Sequence, residues 1–170
     1  EVRLAFVPVV RVALGDDLLA GRPRLDHERA RTQWFALDLL AHLVDKSLAI
    51  AEISVGIERY RLLETIRQYG QERLEERNET ATYAFKHAEY YTKIAGQSYD
   101  EIWGRKQGYW LERLEAEHAN LRAALNWLNN NRDANEIYLQ MAGSLWRFWG
   151  ICGHISEGRT HLEGALRKNT

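Results

Sequence analysis

Apolar residues recur at intervals of three and four along almost the whole C-terminal half of the chain, and that spacing restricts this half to stacked amphipathic helices. Ala81, Ala84, Phe85, Ala88, Tyr91 and Ala95 form one stripe. Leu111, Leu114, His118, Leu121, Leu125 and Leu128 form a second, after a Gly104–Gly108 loop, with His118 at a seam position. Residues three and four apart share a helix face, so each stripe needs a partner surface. The alanines of the first stripe let a neighbouring helix approach closely. Two more helices are expected, over about 134–152 and from about Ser156 towards the end.

The last two of these helices carry the most informative pattern. Ala142, Leu145, Trp146 and Trp149 fall at offsets of three, one and three, while Gly158, Leu162 and Ala165 fall at offsets of four and three. Twelve residues separate Trp146 from Gly158. A tetratricopeptide repeat has this layout: its first helix presents two adjacent positions, and its second offers a small residue where the backbones cross. Gly158 supplies the small residue. Ala142 and Trp146 reverse the usual order of large and small, which reads as a compensated exchange of volume. The earlier pair, about 80–130, has a longer connection and reads as an atypical first repeat that caps the stack. Stacks of this kind leave a concave groove, the usual seat of a partner peptide.

The N-terminal half differs in texture. Both prolines, Pro8 and Pro23, lie in residues 1–25, an irregular segment with valines at 7, 9, 10 and 12. From Asp26 the pattern turns helical, with Ala30, Trp34, Leu37, Leu40, Ala41 and Val44 along one face and Asp45-Lys46-Ser47 closing the helix. Leu48 to Val55 then alternates apolar and polar residues before Gly56, and Tyr60, Leu62 and Leu63 follow. Helix, strand, glycine turn and strand outline the C-terminal half of a winged helix. Thr65 and Gln68 have capping-box spacing for a further helix with a stripe of Leu62, Ile66, Tyr69 and Leu74. Asn78-Glu79-Thr80 reads as a joint. The fold class expected is mainly α: a partial winged helix (helix, β-hairpin, helix) over 26–78, followed by a tetratricopeptide-like α-helical hairpin stack over 79–170.

Charge removes several function classes. A net charge of -1 with 28% charged residues gives no field that draws the chain to nucleic acid or anionic lipid. Lys46, Arg59 and Arg61 of the winged-helix outline are offset by Asp38, Asp45, Glu52 and Glu58, so direct DNA binding is not expected. The single cysteine, Cys152, has no partner for an internal disulfide and reads as a small buried apolar residue in a reducing compartment. No apolar run approaches the roughly 18 residues of a membrane span, which points to a cytoplasmic protein without a membrane partner. The chain does not begin with Met and its last helix runs almost to Thr170, so a piece of a larger protein is expected.

Candidate chemistry is sparse. No Gly-x-x-x-x-Gly-Lys-Ser/Thr string cradles phosphates and no Gly-x-Ser-x-Gly elbow exposes a nucleophile, so neither an enzyme nor a cofactor site is expected. The six histidines include no His-Glu-x-x-His pair, which gives a zinc site little support. His118, beside Glu117 and Asn120, suits either a pH-sensing role or a buried histidine hydrogen-bonded within the stack, and the second reading is favoured. Most of Tyr90, Tyr91, Trp103, Trp110, Trp146 and Trp149 should be core. Trp103 and Trp110 flank the Gly-rich loop and, with Arg147 and Arg159, are the candidate anchors for an acidic peptide or anionic effector.

Four strings add a family resemblance. Leu39-Leu40-Ala41-His42-Leu43-Val44-Asp45-Lys46-Ser47-Leu48 is the first and Arg59-Tyr60-Arg61-Leu62-Leu63-Glu64-Thr65-Ile66-Arg67-Gln68-Tyr69 the second. Leu114-Glu115-Ala116-Glu117-His118-Ala119-Asn120-Leu121-Arg122-Ala123-Ala124-Leu125 is the third; Leu145-Trp146-Arg147-Phe148-Trp149 followed by Gly153-His154 and Glu157-Gly158-Arg159 completes the set. From about Phe35 to Leu166 the chain resembles bacterial STAND-type regulators of the LuxR and SARP-like kind, and before Phe35 the resemblance fades. It implies a parent in which an ATPase core precedes a winged-helix segment and sensor repeats, with a DNA-binding or cyclase domain elsewhere. The chain's role would then be regulatory, binding a protein or peptide partner or the parent's own ATPase core; the alternative is a free-standing protein-binding repeat module.

Overall fold

The computed structural model describes residues 38–54 and 57–168, apart from the side chains of 52–59. The irregular segment expected over 1–25, the helix positions Ala30, Trp34 and Leu37, the Gly56 turn and the Arg59 side chain lie outside the described residues. The fold is mainly α, with one small antiparallel hairpin. It divides into two compact units, one ending at Tyr83 and the other starting at Ala84.

In the first unit, α1 (residues 38–45) ends where Ser47 takes a left-handed φ of 55°. The Leu48 amide donates to Leu43 O and the Ser47 amide to Val44 O, both at 2.8 Å, which satisfies carbonyls the helix end would leave bare. Strands β1 (Ala49–Ser54) and β2 (Ile57–Leu62) follow, with Ala49 opposite Leu62 and Ser54 opposite Ile57. The helix, hairpin, helix outline is completed by α2 (Glu64–Glu76). The capping box expected from Thr65 and Gln68 does not form. β2 runs straight into α2 through Leu63, whose amide donates to Leu48 O at 3.1 Å, so Leu63 occupies the N-cap and Thr65 lies inside the first turn. Glu64 serves the helix start instead, accepting from Arg67 Nε at 2.9 Å. The stripe expected for this helix is corrected at one end, since Leu62 is the last residue of β2, and it is only partly covered: Ile66 and Leu74 are half-buried and Tyr69 is exposed. Asn78, at φ 57°, closes α2 with the same pair of amide-to-carbonyl bonds as Ser47.

The second unit is all helical. It comprises most of α3 (Thr80–Glu101), then α4 (Gln107–Ala116), α5 (His118–Asn130), a short 3-10 turn at 132–134, α6 (Asn135–Cys152) and α7 (Ile155–Lys168). Its core joins Ala88, Tyr91, Ile94 and Ala95 of α3 to Leu114, then Leu121, Leu125 and Leu128, then Tyr138, Met141, Leu145 and Trp149, and finally Ala165. The stripes read from the sequence therefore face one another, except that Ala81 and Phe85 are exposed; Phe85 sets its ring edge on Trp127 at 6.1 Å.

Two expectations are corrected here. The stripe from Leu111 to Leu128 is not one helix: it breaks at Glu117, and α4 starts early enough to include Gly108. Glu117 is buried and accepts hydrogen bonds from Tyr91 Oη at 2.8 Å and Asn120 Nδ2 at 2.7 Å. A buried carboxylate needs such partners, and periodicity carries no sign of that demand. Trp146 is the second correction. Ala142, Leu145 and Trp149 are buried, whereas Trp146 is 44% exposed. The aromatic that meets Gly158 is Trp149: a Cβ on Gly158 would lie 2.7 Å from its Cε3 and 2.8 Å from its Cδ2. Gly153, left-handed at φ 83°, ends α6 and turns the chain into α7.

Candidate functional site

The turn after α3 places Trp103 opposite the outer face of α6. Its indole ring receives the Arg147 guanidinium, whose Cζ stands 3.5 Å from the ring centroid, and lies 6.3 Å from the ring of Trp146. Arg147 Cζ is also 6.0 Å from the Trp146 ring. Trp103 is 58% exposed, so a guanidinium stacked on an indole forms an open patch with a second indole beside it. Cation–π stacking at such sites contributes about 0.5–1 kcal/mol and holds the guanidinium in a fixed plane. Arg147 Nε is buried and makes no hydrogen bond.

Of the four residues singled out from the sequence, only Trp103 and Arg147 come together. Trp110 is 7% exposed and belongs to the core, with the Arg113 guanidinium over its ring at 4.9 Å. Arg159 is exposed on α7 and pairs with Glu163, Nε to Oε1 at 2.7 Å; each partner holds the other in its charged form. Among the described residues, no ring or ion-pair contact joins Trp110 or Arg159 to Trp103. Trp146, read as a seam residue, is the member of the patch that sequence reasoning misassigned. Its one-residue offset from Leu145 turns it about 100° around the helix, away from the seam.

A polar network lies where α4, α5 and the α6–α7 turn meet. His118 Nε2 donates to Glu157 Oε1 at 3.0 Å, and Arg122 Nε donates to Glu157 Oε2 at 2.7 Å. Burial raises the pKa of Glu157, but the hydrogen bonds from Arg122 and His118 outweigh it and hold the carboxyl below its ordinary range. His154 Nε2 donates to Glu115 Oε2 at 2.9 Å, and the rings of His118 and His154 lie 4.0 Å apart. His118, 12% exposed, is thus a histidine hydrogen-bonded within the stack. Cys152 is half-buried; burial, with the Glu115 carboxylate next in effect, pushes its thiol pKa up. A sequence signal for this network exists in retrospect: Glu115 and His118, and again His154 and Glu157, are each three residues apart.

No family model matches the chain, and no solved structure does. The chain is 41% identical over 130 residues to a "Putative HTH-type transcriptional regulator" of Mycobacterium bovis and, to the same extent, to proteins so named in two strains of Mycobacterium tuberculosis. The match takes in 76% of this chain. It spans only 14% of those relatives' length. The likeness is to one part of a bacterial transcriptional regulator. The helix-turn-helix in those names is said of the relatives as wholes. In this chain Lys46 and Arg61 are exposed, and so are Asp38, Asp45 and Glu64.

No helix among the described residues is long and apolar enough to cross a membrane.

Proposed function

We propose that the chain is a non-catalytic regulatory segment of a cytoplasmic bacterial transcriptional regulator of the STAND type, in which tetratricopeptide-like helices receive a protein or peptide partner. The observation that carries this reading is the 41% identity to the regulator segments, joined to an open Trp103–Arg147–Trp146 patch on the helical unit. Tryptophan and arginine are residue types that most often dominate binding energy at protein interfaces, and the half-buried Arg147 guanidinium held in plane suits a carboxylate. The acidic peptide or anionic effector expected from the sequence fits this patch, with Trp146 in place of Trp110. Direct DNA contact is assigned to other parts of the parent.

Regulation requires that partner binding favour one of two arrangements of the parent. Nucleotide turnover by the full-length parent, with and without residues 84–168, tests the reading. A change in basal rate, or loss of the response to effector, is expected on removal; an unchanged rate and response would leave only a free-standing binding module.

A further inference from the structure

Glu115, His118 and His154 each offer a ligand atom, and these atoms all lie within 4.8 Å of one another. They come from three places in the fold: the last turn of α4, the first residue of α5 and the turn between α6 and α7. From this juxtaposition we infer a binding site for a divalent cation of the zinc class at the junction of the two helical pairs. Two imidazoles and one carboxylate form an established zinc ligand set, with the fourth position left to water or a further carboxylate. Glu157 is hydrogen-bonded to His118 Nε2 at 3.0 Å. A carboxylate paired with a ligating histidine fixes its ring and raises its basicity.

Charge favours a cation here. Glu115 accepts from His154 and Glu157 from His118, while Arg122 donates to Glu157. With both rings in the neutral form that metal ligation requires, Glu115 and Glu157 together carry more charge than Arg122 offsets, and a divalent ion balances the excess. Tetrahedral ligation at 2.0–2.1 Å places donor atoms roughly 3.3 Å apart, so the cluster must contract by about 1.5 Å at most. Glu115 is half exposed and His154 sits on a turn, which leaves freedom for that contraction and a path from solvent. A bound ion ties α4 and α5 to the α6–α7 turn and so fixes the angle between successive helical pairs.

The test uses the 170-residue chain, stripped with a chelator and titrated with Zn²⁺ by calorimetry and with Co²⁺ by visible absorption. One Zn²⁺ per chain, the visible bands of four-coordinate Co²⁺ and a higher melting temperature with Zn²⁺ are expected. His154→Gln and His118→Gln should each weaken binding about tenfold or more, with helicity by circular dichroism retained. His42→Gln, an exposed histidine outside the cluster, should change nothing. If His118→Gln fails to fold, His154→Gln and Glu115→Gln carry the comparison. Absence of stoichiometric Zn²⁺ uptake, or uptake indifferent to His154→Gln, would overturn the inference.

Discussion

Replacing Gly158 by alanine pits two effects of opposite sign against each other within α7. A helical glycine replaced by alanine ordinarily gains about 0.5–1 kcal/mol, because the unfolded chain loses freedom. At Gly158 the added Cβ would come within 2.7 Å of Trp149 Cε3, 2.8 Å of Cδ2 and 2.9 Å of Cβ. All three atoms belong to a side chain that is itself fully buried, so the clash cannot be relieved by swinging a flexible tip into solvent. Overpacking of this sort costs about 1–3 kcal/mol, and three simultaneous contacts point to the upper part of that range. The net expectation is a loss of about 1–2 kcal/mol. Gly143 and Gly150 on α6 supply the control, since a Cβ at either meets nothing within 4 Å; alanine there should stabilise by about 0.5–1 kcal/mol. Urea unfolding followed by circular dichroism measures all three. Removing the ring in Trp149→Leu takes away the contacts to Cε3 and Cδ2 but leaves the one to Cβ, so it should relieve part of the penalty at Gly158, giving a coupling of about 1 kcal/mol in the double-mutant cycle. If Gly158→Ala stabilises as much as Gly150→Ala, the crossing of α6 and α7 has been misread.

Burial lowers the pKa of His87 from 6.5 to about 4, with the nearby charge of Glu117 opposing the shift. The unfolded chain therefore takes up a proton at this position below about pH 6.5 while the folded one does not until about pH 4, so stability falls as pH drops through that window, by roughly 3 kcal/mol. His161, lowered chiefly by burial, adds to the loss in the same sense. Between about pH 7 and pH 4, wild type should lose roughly 3 kcal/mol more unfolding free energy than His87→Gln; a difference that stays constant with pH would refute the assignment. Tyr91→Phe removes the 2.8 Å hydrogen bond to buried Glu117 and should cost about 1–3 kcal/mol in urea unfolding, with a neutral result counting against Glu117 as the polar anchor of the α4–α5 break.

The architecture was legible wherever periodicity governs it. The stripes of α3, α5 and α6, the hairpin of β1 and β2, and the helix closures at Ser47 and Asn78 all follow from local spacing and end chemistry. What escaped was set by partners distant in sequence. Glu117 breaks a continuous apolar stripe because Tyr91, 26 positions away, offers a hydroxyl to its carboxylate. Trp146 and Trp149 both read as seam residues, and only the packing of Gly158 shows which indole lies between the helices. Trp110 flanks a glycine-rich loop but points into the core, while Trp103 stays outside under Arg147. The pairing of His118 with Glu157 and of His154 with Glu115 spans 39 positions each, beyond the reach of any motif window.

If the helical unit receives a regulatory partner through its open aromatic–guanidinium patch, the full-length parent carrying Trp103→Ala together with Arg147→Ala should no longer respond to that partner. Transcription from a responsive promoter should lose its dependence on effector, while the isolated 170-residue chain with the same two changes keeps its helicity and unfolds within about 1 kcal/mol of wild type. An unaltered effector response in a parent carrying both substitutions would contradict the account.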